Sequence, residues 1–157
     1  MRITRIGAAM LVASVALLVL LVAPAGADSA YHTAHIALAP VANAPLGSGF
    51  VQNIHANGPT IYAHEIYQLN GAEPNTSYQV VLSIWKSNTA CGGSPSLQFP
   101  TATVTTDAAG NGLADVVFSP ADAAAAGIRG LTVGAMWTLW NGTTATYSTD
   151  CEVISLD

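Results

Sequence analysis

From Ala30 to the C-terminus, apolar and polar positions alternate with a period of two, and Thr, Val, Tyr and Ile recur between Gly, Pro and Asn breaks. A period of two sends successive side chains to opposite faces of an extended chain, so the pattern predicts strands. Eight are expected, at residues 31–38, 49–54, 60–69, 78–86, 99–106, 113–118, 131–140 and 143–156. The fourth carries the clearest alternation. Tyr78, Val80, Leu82 and Ile84 interleave with Gln79, Val81, Ser83 and Trp85, which assigns the first set to a buried face. The chain reads as all-β.

Turn chemistry supports the same division. Asn141-Gly142 is the preferred central pair of a two-residue type I′ hairpin, where both positions need positive φ, so the last two strands are expected to be antiparallel neighbours. Asp107-Ala108-Ala109-Gly110-Asn111-Gly112 reads as a longer hairpin loop between the fifth and sixth strands. One short helix is expected near 119–127, crossing between two sheets. Ser119 can cap it, Pro120 fits its first position, Asp122 completes a short capping box and Gly127 ends the Ala run.

The N-terminal pattern is different. Residues 7–22 are an almost unbroken apolar run after Arg2 and Arg5, and the run ends at Pro24-Ala25-Gly26-Ala27, a small-x-small cleavage signature. Residues 1–27 are therefore read as a secretory signal peptide and 28–157 as a single exported, extracellular domain. An uncleaved leader acting as an anchor is the alternative. This segment explains much of a composition that is 51% hydrophobic and 8% charged. After it, no apolar run approaches the roughly 20 residues that a spanning helix needs, so no membrane contact is expected once the leader is removed. The domain keeps two basic residues, Lys86 and Arg129, against all nine acidic ones. Nucleic acid is excluded as an expected partner, because a phosphate backbone calls for clustered Lys and Arg.

Two cysteines, Cys91 and Cys151, lie sixty residues apart. An even count in an exported chain predicts a disulfide, for which the chain-entropy relation gives about 4 kcal/mol. Zinc ligation is the weaker reading, since neither has a Cys or His at ligand spacing.

The segment Ala72-Glu73-Pro74-Asn75-Thr76-Ser77-Tyr78-Gln79-Val80 resembles the Leu-x-Pro-x-Thr-x-Tyr-x-Val stretch of fibronectin type III domains, with Ala72 in place of the leucine. The resemblance implies a tyrosine corner at Tyr78, whose hydroxyl would bond to the chain just upstream. The Asp107 to Gly112 turn is similar to turns of secreted bacterial immunoglobulin-like modules. Four expected strands follow the Tyr78 strand, however, and no tryptophan precedes it, since the three are Trp85, Trp137 and Trp140. The expectation is an immunoglobulin-like two-sheet antiparallel sandwich of seven or eight strands, not a fibronectin domain.

Candidate chemistry is sparse. His32 and His35 share the first strand but point to opposite faces, and His55 and His64 flank the Asn57-Gly58-Pro59 turn, so no metal site is expected. Glu65 and Asp115 are the carboxylates a glycosidase would pair, although the plainer reading puts both on an outer, solvent-facing surface. No catalytic residue and no cofactor are expected. Trp85 and Trp140 could stack on sugar rings or seal the edges of the core. The resulting expectation is a non-catalytic extracellular structural or adhesion-like module with a protein or polysaccharide partner. A carbohydrate-binding module using Trp85 and Trp140 is the first alternative, and a metal-binding or hydrolytic protein the second.

Overall fold

A computed structural model describes residues 32–56 and 58–156. The expected leader and the start of the exported chain at Asp28 lie outside the described residues. Within them the chain forms β1 (His32–Pro40), β2 (Ser48–His55), β3 (Ala63–Asn70), β4 (Ser77–Trp85), β5 (Leu97–Thr105), β6 (Gly112–Phe118), α1 (Pro120–Ala126), β7 (Leu131–Asn141), β8 (Thr144–Thr149) and β9 (Glu152–Leu156). Strand positions follow the period-two pattern closely. The expected final strand is divided in two: β8 and β9 lie end to end along one edge of β7, with Thr138 opposite Ser148 and Ala135 opposite Glu152. Between those pairs β7 advances three residues and its partner four, so an extra residue is accommodated around Asp150 and Cys151 as a bulge.

All pairings are antiparallel, and the hydrogen-bonded path runs β5-β4-β7-β8-β1-β2-β3-β6. In place of the expected two-sheet sandwich of seven or eight strands, the hydrogen bonds link nine strands into one sheet. β1 joins the halves, because His32 to Ala37 pair with β2 while Leu38, Ala39 and Pro40 pair with β8. The two ends of the path also approach each other. Phe99 on β5 meets Phe118 on β6 edge to face, with ring centroids 6.4 Å apart. The result is an antiparallel sheet of nine strands nearly closed into a barrel.

The connection at 106–111 corrects one expectation. It is not the loop of a paired hairpin, since β5 bonds to β4 and β6 bonds to β3. It crosses between the halves beside the β3–β4 crossing. Ala72 N–H donates to Gly110 O (3.0 Å), Thr106 N–H to Thr76 O (2.9 Å), and the buried Thr106 hydroxyl to Glu73 O (2.6 Å). Gly110 is required there, because a Cβ would stand 2.1 Å from Ala72 O. The β7–β8 hairpin forms as expected, but its turn residues are Gly142 and Thr143, with Asn141 opposite Thr144 and only Gly142 (φ 58°) at positive φ. A glycine in the first central position is the type II′ pattern rather than I′.

The helix carries the caps its sequence implies: Ser119 and Asp122 exchange both capping-box hydrogen bonds, and Gly127 closes the helix at φ 60°. Lys86 Nζ adds a 2.6 Å bond to Ala126 O at the last turn. A cation there complements the partial negative charge of the helix end. Cys91 and Cys151 lie at disulfide distance, with Cα atoms 5.9 Å apart, and tie the 86–96 loop to the bulge between β8 and β9, beside Gly134 of β7. At Gly134 a Cβ would come within 2.8 Å of Asn88 O, so only glycine lets that loop lie flat. Among the described residues no helix is long and apolar enough to cross a membrane.

Candidate functional site

Inward-facing positions alternate along every strand, and their sizes decide where the barrel is full. On β3 they are Ala63, Glu65, Tyr67 and Leu69; on β7, Val133, Ala135, Trp137 and Leu139. Because β3 and β7 each carry an alanine toward one end, the interior there is left short of side-chain volume. A cavity of about 340 Å³ occupies the gap, and α1 lies along it with Ala123 turned inward. Asp122 and Ala125, both exposed, also line it, so it reaches solvent beside the helix. The walls are otherwise largely hydrocarbon and aromatic, including Leu82, Ile84, Phe99 and Ile154.

One carboxylate stands in this apolar space. Glu65 is 2% exposed and shares the inward parity of Tyr67 and Leu69, which corrects the expectation that it faces solvent. Asp115 does face solvent: it pairs in register with Ile66, one step from Glu65 and on the other face of the sheet, where its Oδ2 lies 3.1 Å from His64 Nε2. The two carboxylates therefore do not meet. Three donors converge on Glu65: Asn53 Nδ2 to Oε1 (2.9 Å), Trp137 Nε1 to Oε2 (2.8 Å), and the Tyr67 hydroxyl to Oε2. Thr101 Oγ1 lies 2.7 Å from the Tyr67 oxygen and completes the chain of hydroxyls.

Burial pushes the Glu65 carboxyl above its ordinary value of 4.5, and the bonds from Tyr67, Trp137 and Asn53 pull in the opposite direction. Burial, and then the neighbouring Glu65 charge, push the Tyr67 phenol upward, so it remains a donor. The site thus offers a polar carboxyl at the wall of a largely apolar volume. Asn53 reaches it from β2 because its parity matches buried Val51, and Trp137 reaches it from the centre of β7.

The remaining candidates are dispersed. His32 stacks on His55 with centroids 4.8 Å apart, His55 contacts Tyr62 edge on, and His35 packs on Phe50 across the β1–β2 ladder. Among the described residues no three of His, Cys, Asp and Glu form a metal-holding group. Trp85 is 5% exposed and its indole N–H donates to Gly93 O (3.0 Å), while Trp140 is half-buried. In register, Trp85 lies opposite Gly134, six residues along β7 from Trp140 and about 20 Å away at the rise of a strand. Tyr78 is buried against Tyr147, centroids 5.3 Å apart, and it is Tyr147 whose hydroxyl donates to a main-chain carbonyl, Pro45 O, at 2.7 Å.

Sequence pattern could have found Glu65, since counting back by twos from Leu69 and Tyr67 lands on it. The cavity had no such signal, because inward alanines on separate strands become neighbours only through strand order. No protein-family model, curated protein or solved structure matches the chain.

Proposed function

We propose that this chain is an exported, immunoglobulin-like binding module, non-catalytic, that holds a small apolar molecule inside its barrel. The cavity carries this reading. Its size falls in the range of small-molecule sites, and it is roughly twice the ~150 Å³ apolar cavity known to hold benzene, so a two-ring ligand is the natural scale. A few polar groups among apolar walls is the usual composition of such a site, and Glu65, Asn53 and Trp137 supply them. An extracellular setting agrees with the leader-like segment and the cysteine pair. A polysaccharide partner on the outer face has less in its favour, since Trp85 is covered and its N–H is engaged.

Naphthalene, neutral and two rings in size, is the direct probe. An NMR titration should give saturable shifts centred on Ala123, Val133 and Ala135. Ala123→Leu, which fills the cavity from α1, should abolish them. Shifts that never saturate, or that Ala123→Leu leaves in place, would remove the interior site from consideration.

A further inference from the structure

The polar wall of the cavity specifies more than a hydrophobic occupant. Three side chains hydrogen-bond to Glu65: Asn53 on Oε1, Trp137 and Tyr67 on Oε2. Asn53 and Trp137 only donate here, whereas the Tyr67 hydroxyl can donate to Oε2 or, by passing its own proton to Thr101, accept from it. Of about four lone-pair positions, three are used, and the open one is on Oε1. Among the described residues neither Lys nor Arg lines the cavity. Lys86 is bonded to Ala126 O, and Arg129 lies over the Tyr62 ring with its guanidinium carbon 5.7 Å from the centroid.

The entrance has the same sign. Asp122 lines the opening, and its carboxylate is held ionised by the Ser119 N–H and hydroxyl. An anion would meet this carboxylate first and Glu65 behind it. A neutral hydrocarbon could fill the volume, but it would leave the open acceptor position on Oε1 of Glu65 without a donor, which is costly in a low-dielectric interior. A cation with an apolar body satisfies both halves of the site. We infer that the ligand is an apolar primary amine, its ammonium group set against Oε1 of Glu65 and its hydrocarbon filling the cavity; this rests on the reading of that cavity as a binding site. The ammonium donates to the open lone pair and to nothing else that must move, since the three existing donors keep their places. Tyr67, Asn53 and Trp137 are then positioning residues that hold the carboxylate for the incoming cation.

Three probes of matched size separate this inference from the broader reading: phenylbutylamine, phenylbutanol and phenylbutanoate, titrated by calorimetry into the intact exported chain at neutral pH. The amine should bind at least about tenfold more tightly than the alcohol, the ratio expected when a hydrogen bond to a charged group replaces a neutral one. The carboxylate should give no binding heat. Glu65→Gln keeps the size of the side chain and should bring amine and alcohol to the same affinity.

An alcohol that equals the amine on the wild-type chain, or a carboxylate that binds as well, overturns the amine assignment and leaves the cavity reading standing. An amine preference that survives Glu65→Gln also overturns it, and assigns the preference to Asp122 at the opening. No binding by any of the three overturns both. The wild-type ranking decides the matter even if Glu65→Gln fails to fold.

Discussion

The two ends of the barrel are built on the same strands and differ in what they do with the space. At one end Leu69, Tyr78, Val80, Val104, Leu139 and Tyr147 are at most 1% exposed, the tyrosine rings are packed against each other, and the Tyr147 hydroxyl closes on Pro45 O. At the other, the inward positions of β3 and β7 are Ala63 and Ala135, α1 presents Ala123, and the missing volume is the cavity. The strands pass through both ends, so backbone geometry is not the cause. Side-chain volume is. A full end stabilises the barrel by burying area and dispersion contacts, whereas the open end gives up packing and encloses the Glu65 carboxyl.

Substitutions of opposite sense should therefore have opposite effects at the two ends. The largest expected change is at the packed end, where Leu139→Ala should lower stability by about 2–5 kcal/mol, the range for a buried leucine that leaves a void its neighbours cannot fill. It should leave ligand affinity nearly unchanged. At the open end, Ala123→Leu should raise stability by about 0.5–2 kcal/mol, as cavity filling does, while ligand binding is lost. Denaturant midpoints with unchanged slopes measure both. If Ala123→Leu destabilises as much as Leu139→Ala, the open end is already full and the contrast fails.

Much of the secondary structure was legible because alternation is a local signal. The inward face of β4 and the caps of α1 follow from residues a few positions apart, such as Tyr78 with Val80 or Ser119 with Asp122. Strand order was not legible. Asp107 to Gly112 has the composition of a hairpin loop, but β5 and β6 find better partners in β4 and β3, and tertiary pairing overrides the local signal. The joining of the two halves through β1 is hidden for the same reason, since Pro40 looks like a terminator and is still paired with Tyr147. Glu65 was misplaced by a composition habit: carboxylates are rarely buried, and the parity of β3 was the better guide.

The smallest effect is a pH dependence that only the open end should show. Glu65 has its folded-state value raised above 4.5 by burial, so between these two values the native chain binds more protons than the unfolded one. Its contribution to stability is complete below 4.5 and is lost as pH rises through the raised value. Asp107 and Asp122 work the other way and in a different window. Their folded values are lowered from 3.8 by hydrogen bonds, first from Asn111 and Ser119 respectively, so their contributions are present above 3.8 and disappear as pH falls through the lowered values. Tyr67 titrates far above this range, and His55 and Tyr62 line the same cavity. The difference between wild type and Glu65→Gln isolates the carboxyl: denaturant midpoints followed from pH 4.5 upward should fall more steeply for wild type. Parallel curves would mean that the three donors fully offset burial, and pH dependence would then not distinguish the open end from the packed one.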